Sequence, residues 1–198
     1  MTGTDPYVPG HGDASYDVLH YDLRLDYKPD GNRLDGEATL TCTAVDEVVR
    51  LRLDLHQLRV ARVSVNGRPP ARYTHRDSGL AVWLETPIPA GTEFEVKVKY
   101  SGRPEVLKSK TLGDAGWEEL TDGVIVAAQP HGAPTWFPCN DRPDDKATYA
   151  FAMTAPAGYQ VGFALLGDTL DAALDQAVVD ADPATGQATV DLHAPSQA

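Results

Sequence analysis

Six histidines and two cysteines are the side chains of this 198-residue chain best suited to hold a metal or attack a carbonyl. The histidines are His11, His20, His56, His75, His131 and His193, and none of their spacings gathers a metal ion on one helix face. The chain has no H-E-x-x-H, no G-x-S-x-G elbow, no Walker loop and no Rossmann glycine fingerprint. Cys139 is followed by Asn140-Asp141 with no base partner nearby, and a strand-borne histidine such as His20 reads as a satisfied structural residue. Cys42 and Cys139 are too few for a four-ligand zinc site and read as two buried free thiols, with a single disulfide as the alternative. One segment stands apart: Ala128 to Pro143, with four prolines, Trp136 and Phe137, an amide and a charged pair between two apolar strands. Prolines stiffen the backbone and aromatics carry large buried area, so this is a shaped loop whose Trp136 and Phe137 fill the mouth of the fold beneath it.

The elements that must position this loop are strands. Leu19, Tyr21, Leu23, Leu25 and Tyr27 alternate with Asp22, Arg24 and Asp26, giving one dry face. Pro29-Asp30-Gly31-Asn32 turns the chain into a second strand with Ala38, Leu40 and Cys42 on one side. Leu51, Leu53 and Leu55 repeat the pattern against Arg50, Arg52 and Asp54. Val60, Val63 and Val65 precede Asn66-Gly67, a dipeptide suited to a tight hairpin, with a return strand expected over Ala71 to His75. Leu80, Val82 and Leu84 alternate next, and after Pro87-Ile88-Pro89 so do Phe94, Val96, Val98 and Tyr100. Val124 to Ala128 and Tyr149 to Thr154 add two strands, one of them a nearly unbroken apolar run suited to a central position. With turn residues at short intervals, the fold class is all-β, two antiparallel sheets packed face to face.

Seventeen basic against 29 acidic residues leave a net charge of −12, which disfavours nucleic acid and anionic membranes as partners. No stretch reaches transmembrane length. The N-terminus has no basic residue and no apolar run before Tyr16, so no secretory leader is read and the expected address is the cytoplasm. Every basic residue lies at or before Lys146, whereas residues 161–198 hold no Lys or Arg, six Asp and nine Ala. This break divides the chain into a polar leader (1–13), a β domain (14–160) and a divergent acidic tail (161–198) available to complete the sandwich. In the tail, Asp168 or Thr169 is placed to cap a short helix bearing Leu170, Leu174 and Val178. Ala188, Val190 and Leu192 read as one more strand.

Two stretches carry a resemblance: Tyr16-Asp17-Val18-Leu19-His20-Tyr21-Asp22-Leu23-Arg24-Leu25, and Pro134-Thr135-Trp136-Phe137-Pro138-Cys139-Asn140-Asp141-Arg142-Pro143 continuing to Tyr149. In order and separation they resemble the N-terminal domain of the aminopeptidase N type of zinc metallopeptidases, in a form similar to actinobacterial members. Leukotriene hydrolases share this domain. The resemblance covers Ala14 to Gln160 and implies a saddle-like β structure packed against a thermolysin-like catalytic domain. It also implies a role for Gln129, which matches a glutamine that reaches the active site, accepts a hydrogen bond from the α-amine of a bound peptide and helps form the S1 pocket. A neutral acceptor suits that task, because it recognises an ammonium without adding charge beside a metal.

The family's G-x-M-E-N strand, its H-E-x-x-H with the downstream Glu ligand, and its Tyr that stabilises the tetrahedral intermediate have no counterpart here. No catalytic residue, metal site or cofactor is therefore expected in this chain, zinc being the cofactor of the full-length family, and no peptidase activity is expected in isolation. The expected partners are a catalytic zinc domain in cis or in trans and, through that complex, a peptide N-terminus. After Gly158-Tyr159-Gln160 the chain departs from the family, reading Val161-Gly162-Phe163-Ala164-Leu165, which suggests a truncated or frame-disturbed product or a solitary domain. The alternative reading is a non-enzymatic β-sandwich interaction module that uses an apolar face beside Trp136 and Phe137.

Overall fold

The computed structural model describes residues 10–109, 113–128, 131–142, 144–156, 158, 159 and 161, and the backbone of 178–182 and 187–192. Its strands are β1 (Tyr16–Lys28), β2 (Arg33–Ala44), β3 (Val48–Asp54), β4 (Arg59–Val65), β5 (Arg72–Arg76) and β6 (Gly79–Ile88). They continue with β7 (Glu93–Gly102), β8 (Gly116–Glu119), β9 (Val124–Ala127), β10 (Thr148–Thr154), β11 (Val178–Asp182) and β12 (Gln187–Leu192). A short 3-10 turn covers Ala133–Thr135. Among the described residues no helix is long and apolar enough to cross a membrane.

A seven-stranded sheet has the order β11-β12-β10-β1-β2-β7-β4, a three-stranded sheet the order β3-β6-β5, and β8-β9 form a separate ribbon. Pairing is antiparallel throughout except between β1 and β10, which run parallel. The all-β expectation holds, with this one parallel seam added. The inward residues of both sheets form one core: Leu23, Leu40, Val96 and Val98 from the large sheet meet Leu51, Leu53, Leu80 and Val82 from the small one, all fully buried. Burying each such side chain contributes about 1.5–3 kcal/mol, so the period-two pattern is the main driving force for the sandwich.

Four expectations change. Leu19 does not join the dry face of β1, because the register shifts between Val18 and His20. Val18 and Tyr21 both point inward, the extra residue of the bulge is expelled, and Leu19 is 43% exposed. Asn66 and Gly67 do make a tight turn, at φ 49° and 72°, closed by reciprocal bonds between Val65 and Arg68. The pairing stops there, since Pro69 and Pro70 have no N–H to donate, and β5 pairs with β6 in the other sheet. Asp54 is not on a wet face but is buried. Val178 opens β11, which pairs with β12, and does not end a helix; Asp168, Thr169, Leu170 and Leu174 lie outside the described residues. Of the two late strands, β10 is the central one, between β1 and β12, whereas β9 lies in the peripheral ribbon with Ile125 54% exposed.

Candidate functional site

Gln129 and Pro130 lie outside the described residues; the residues before and after them in the chain are described. Their loop leaves β9 at the exposed Ala127 and Ala128 and re-enters the fold at His131 and Gly132, both buried. Its base is closed by glycines. A Cβ on Gly132 (φ +117°) would lie 2.6 Å from the Gly116 nitrogen and 2.9 Å from the Ala127 carbonyl oxygen. One on Gly116 (φ +96°) would meet Thr135 Oγ1 at 2.4 Å. Gly116 and Ala127 are themselves paired across β8 and β9. Backbone thus meets backbone at the loop's two ends, an approach only glycine permits.

The ribbon beneath is pinned through Trp117. Its backbone N–H donates to Thr135 Oγ1 (3.0 Å), whose hydroxyl donates to the Gly132 carbonyl (2.6 Å). Its indole Nε1–H donates to Asn32 Oδ1 (2.9 Å) in the β1–β2 turn, and Asn32 Nδ2 donates to the Pro104 carbonyl (3.0 Å). Tyr27 packs edge-on against the Trp117 ring at 4.9 Å. Asn32, at φ 48°, fits its turn because asparagine tolerates the left-handed region.

The aromatic pair after the loop faces inward, as expected. Phe137 is buried edge-on to Tyr21 (5.5 Å), and the half-buried Trp136 stacks on Phe151 (5.8 Å). The Tyr100 hydroxyl donates to the Trp136 carbonyl (2.9 Å). To reach it the Tyr100 ring lies across its cross-strand partner Gly36, where a Cβ would fall 2.3 Å from the ring. Among the described residues the large exposed apolar side chains lie elsewhere, at Leu19, Val45, Val49, Leu120 and Ile125 among others. Among the described residues, His131, only 2% exposed, and the Trp136 indole have no hydrogen-bond partner.

Cys139-Asn140-Asp141 serves as a clip. Cys139 and Asp54 exchange backbone bonds of 2.7 and 3.0 Å, tying the loop to β3. Asn140 Oδ1 accepts from Asp13 N–H (2.7 Å), and Nδ2 donates to the carbonyls of Asp13 and Tyr16 (3.2 Å each) and to Asp145 Oδ2 (2.7 Å). Asp145 also accepts from Val18 N–H (3.0 Å). Asp54 accepts from Gly12 N–H (2.7 Å) and pairs with Arg52 (2.9 Å). His11 Nδ1 bonds Asp141 Oδ2 at 2.7 Å.

Burial pushes the Asp145 carboxyl up to about 6 and raises that of Asp54, while the hydrogen bond to Asp141 raises His11. Burial also drives both thiols up, which makes Cys42 and Cys139 poor nucleophiles. Both are free and buried, as read from the sequence. Among the described residues no three of His, Cys, Asp or Glu are grouped to hold a metal ion. The motif's described contacts tie the loop to β3, to β1 and to the N-terminal segment.

The family model described as the Peptidase M1 N-terminal domain matches residues 17–165. Aminopeptidase B of Mus musculus is 29% identical over 168 residues, covering 71% of this chain and 25% of that protein. The M1 zinc metallopeptidase from Deinococcus radiodurans superposes with a TM-score of 0.74 at 28% identity, over 93% of this chain and 40% of that one. Native yeast LTA4 hydrolase shares the fold, with a TM-score of 0.63 at 18% identity, over 90% of this chain and 27% of that one. The chain thus spans about a quarter of the length of the mouse relative.

Proposed function

Because the chain belongs to the Peptidase M1 N-terminal domain family, we propose that it is the substrate-shaping domain of a zinc-dependent aminopeptidase, an enzyme that releases N-terminal amino acids from peptides. The observation that carries this reading is the family match over residues 17–165, beside the backbone-on-backbone packing of Gly116, Ala127 and Gly132 that fixes the described ends of the loop. Rigid backbone beneath a recognition residue lowers the ordering cost of binding. On this reading the Gln129 amide oxygen accepts a hydrogen bond from the peptide's α-ammonium and fixes which bond is presented for cleavage.

The described donor set does not fit zinc, and no step of the hydrolysis runs on those residues. Metal and activated water come from a catalytic zinc domain, in cis or in trans, and the residues described here bind and orient. Two buried free thiols suit a reducing compartment, so the cytoplasm is the proposed location.

The test pairs the chain, fused or mixed, with the zinc-bearing domain of an M1 relative and follows release of an aminoacyl reporter. The chain alone is expected to give no chelator-sensitive release. In the pair, Gln129→Ala is expected to lower kcat/KM about ten- to a hundredfold, the loss of one hydrogen bond to a charged group. Chelator-sensitive release by the chain alone overturns this reading, as does a Gln129→Ala pair as active as the wild type. Failure of the two domains to associate favours the interaction-module alternative.

A further inference from the structure

Residues 50–76 carry seven arginines against the single Asp54, a net +6 within a chain whose total is −12, which leaves the rest at −18. Four of the seven lie in the small sheet, Arg50 and Arg52 on β3 and Arg72 and Arg76 on β5, whereas Arg59 and Arg62 lie on β4 of the large one. Arg50 on β3 and Arg72 on β5 are the direct register partners of Trp83 on β6 between them. Directly paired residues share a face, and since Leu51 and Val82 point into the core, Arg50, Trp83 and Arg72 point away from it. Arg76, opposite Gly79, lies further along on the same face.

Arg52 is already used, bonded to Asp54 and to the Gly10 carbonyl. Arg50, Arg72 and Arg76 are exposed, and among the described residues no carboxylate pairs with any of them. The Arg72 guanidinium lies 4.0 Å from the centroid of the half-buried Trp83 ring. Stacking uses the flat face of the guanidinium and leaves its N–H edge free, and that edge matches a carboxylate bidentately. The acidic residues nearest in sequence to Arg50, Arg72, Arg76 and Trp83 are Asp46, Glu47, Asp77 and Glu85, all exposed, and Asp54, which is taken up by Arg52.

We propose that the outer face of β3-β6-β5, centred on Arg50, Trp83 and Arg72, docks a short acidic polypeptide segment of a partner protein. Charge decides the class of partner. Screening confines attraction to within roughly 10 Å, so a short segment responds to the unpaired Arg50, Arg72 and Arg76 more than to the net charge of the chain. A nucleic acid or an anionic membrane extends further and meets the −18 carried elsewhere. This surface is independent of Gln129 and of any peptidase activity.

The test is fluorescence anisotropy of a labelled oligoglutamate peptide with the full chain. Binding is expected at low salt and should weaken as salt rises. Arg50→Glu with Arg72→Glu is expected to weaken it at least about tenfold, Arg50→Lys with Arg72→Lys by less, and Arg33→Glu in the large sheet not at all. Circular dichroism checks that each variant is folded. The proposal is overturned if the peptide does not bind, or if the double Glu variant binds as the wild type does. Tighter binding of a charge-matched single-stranded oligonucleotide or of phosphatidylserine vesicles also overturns it, and so does self-association through this face without peptide binding.

Discussion

Asn140 spends its whole amide inside the protein, joining the N-terminal segment, β1 and Asp145 from one side chain. Asn140→Ala would leave the part-buried Asp13 N–H without its acceptor and take a donor from the buried Tyr16 carbonyl, at an expected cost of about 3 kcal/mol, read as a drop in urea midpoint with unchanged slope. Gly36→Ala drives a methyl into the Tyr100 ring and is expected to cost about 1–3 kcal/mol while breaking the Tyr100 bond to the Trp136 carbonyl. Asp145 supplies a pH dependence of unusual sign. Its folded-state value, about 6, lies above the ordinary 3.8, so the folded state holds this proton more tightly and loses stability as pH rises from about 4 to about 6. His11, also raised, adds stability below about pH 6.5 that is lost as pH climbs through its elevated value. Asp145→Asn stays neutral, so its urea midpoint relative to wild type should shift in the variant's favour between about pH 4 and about pH 7. An unchanged gap would remove Asp145 from the pH response.

At the scale of elements, the ribbon β8-β9 owes its place to Trp117 and to two glycines and makes little core of its own. Gly132→Ala is expected to detach the ribbon from the 3-10 turn, because the new methyl collides with backbone on both neighbours and positive φ adds strain. The readout is faster hydrogen exchange over β8 and β9 with the β1–β2–β7 sheet unchanged. Strand faces are legible in the sequence because alternation is local: Tyr21, Leu23, Leu40, Val96 and Val98 declare their side by period alone. The bulge at Leu19 is not legible, since it arises from pairing with β2 and leaves no mark in residue type. The Asn66-Gly67 turn is legible and the partner of the strand after it is not, because Pro69 and Pro70 send the chain to a different sheet. The clip around Asn140 joins residues more than a hundred positions apart, beyond the reach of any local pattern. Gln129 stands out only through family resemblance, since a lone amide on a loop carries no periodic or spacing signal.

In the whole molecule the acidic tail extends the large sheet past β10 by two strands. β12 covers β10 and β11 covers β12, so the segment read as divergent still supplies two strands. A chain ending at residue 161 would leave β10 as an open edge carrying Phe151 and Met153. Such edges template pairing with other chains. The shortened chain is expected to self-associate at concentrations where the full chain does not, a difference that light scattering measures directly.

The parallel seam between β1 and β10 also sets an order in time. Its first pair joins His20 to Thr148, 128 positions apart. Such a contact can form only after most of the chain has been synthesised, and closing so long a loop slows folding. During synthesis β1 can pair with β2 early, through a turn of four residues, while its other edge waits for β10. The nascent chain therefore spends most of its emergence with one hydrogen-bonding edge of β1 open, and that interval is when it most needs dilution or a chaperone.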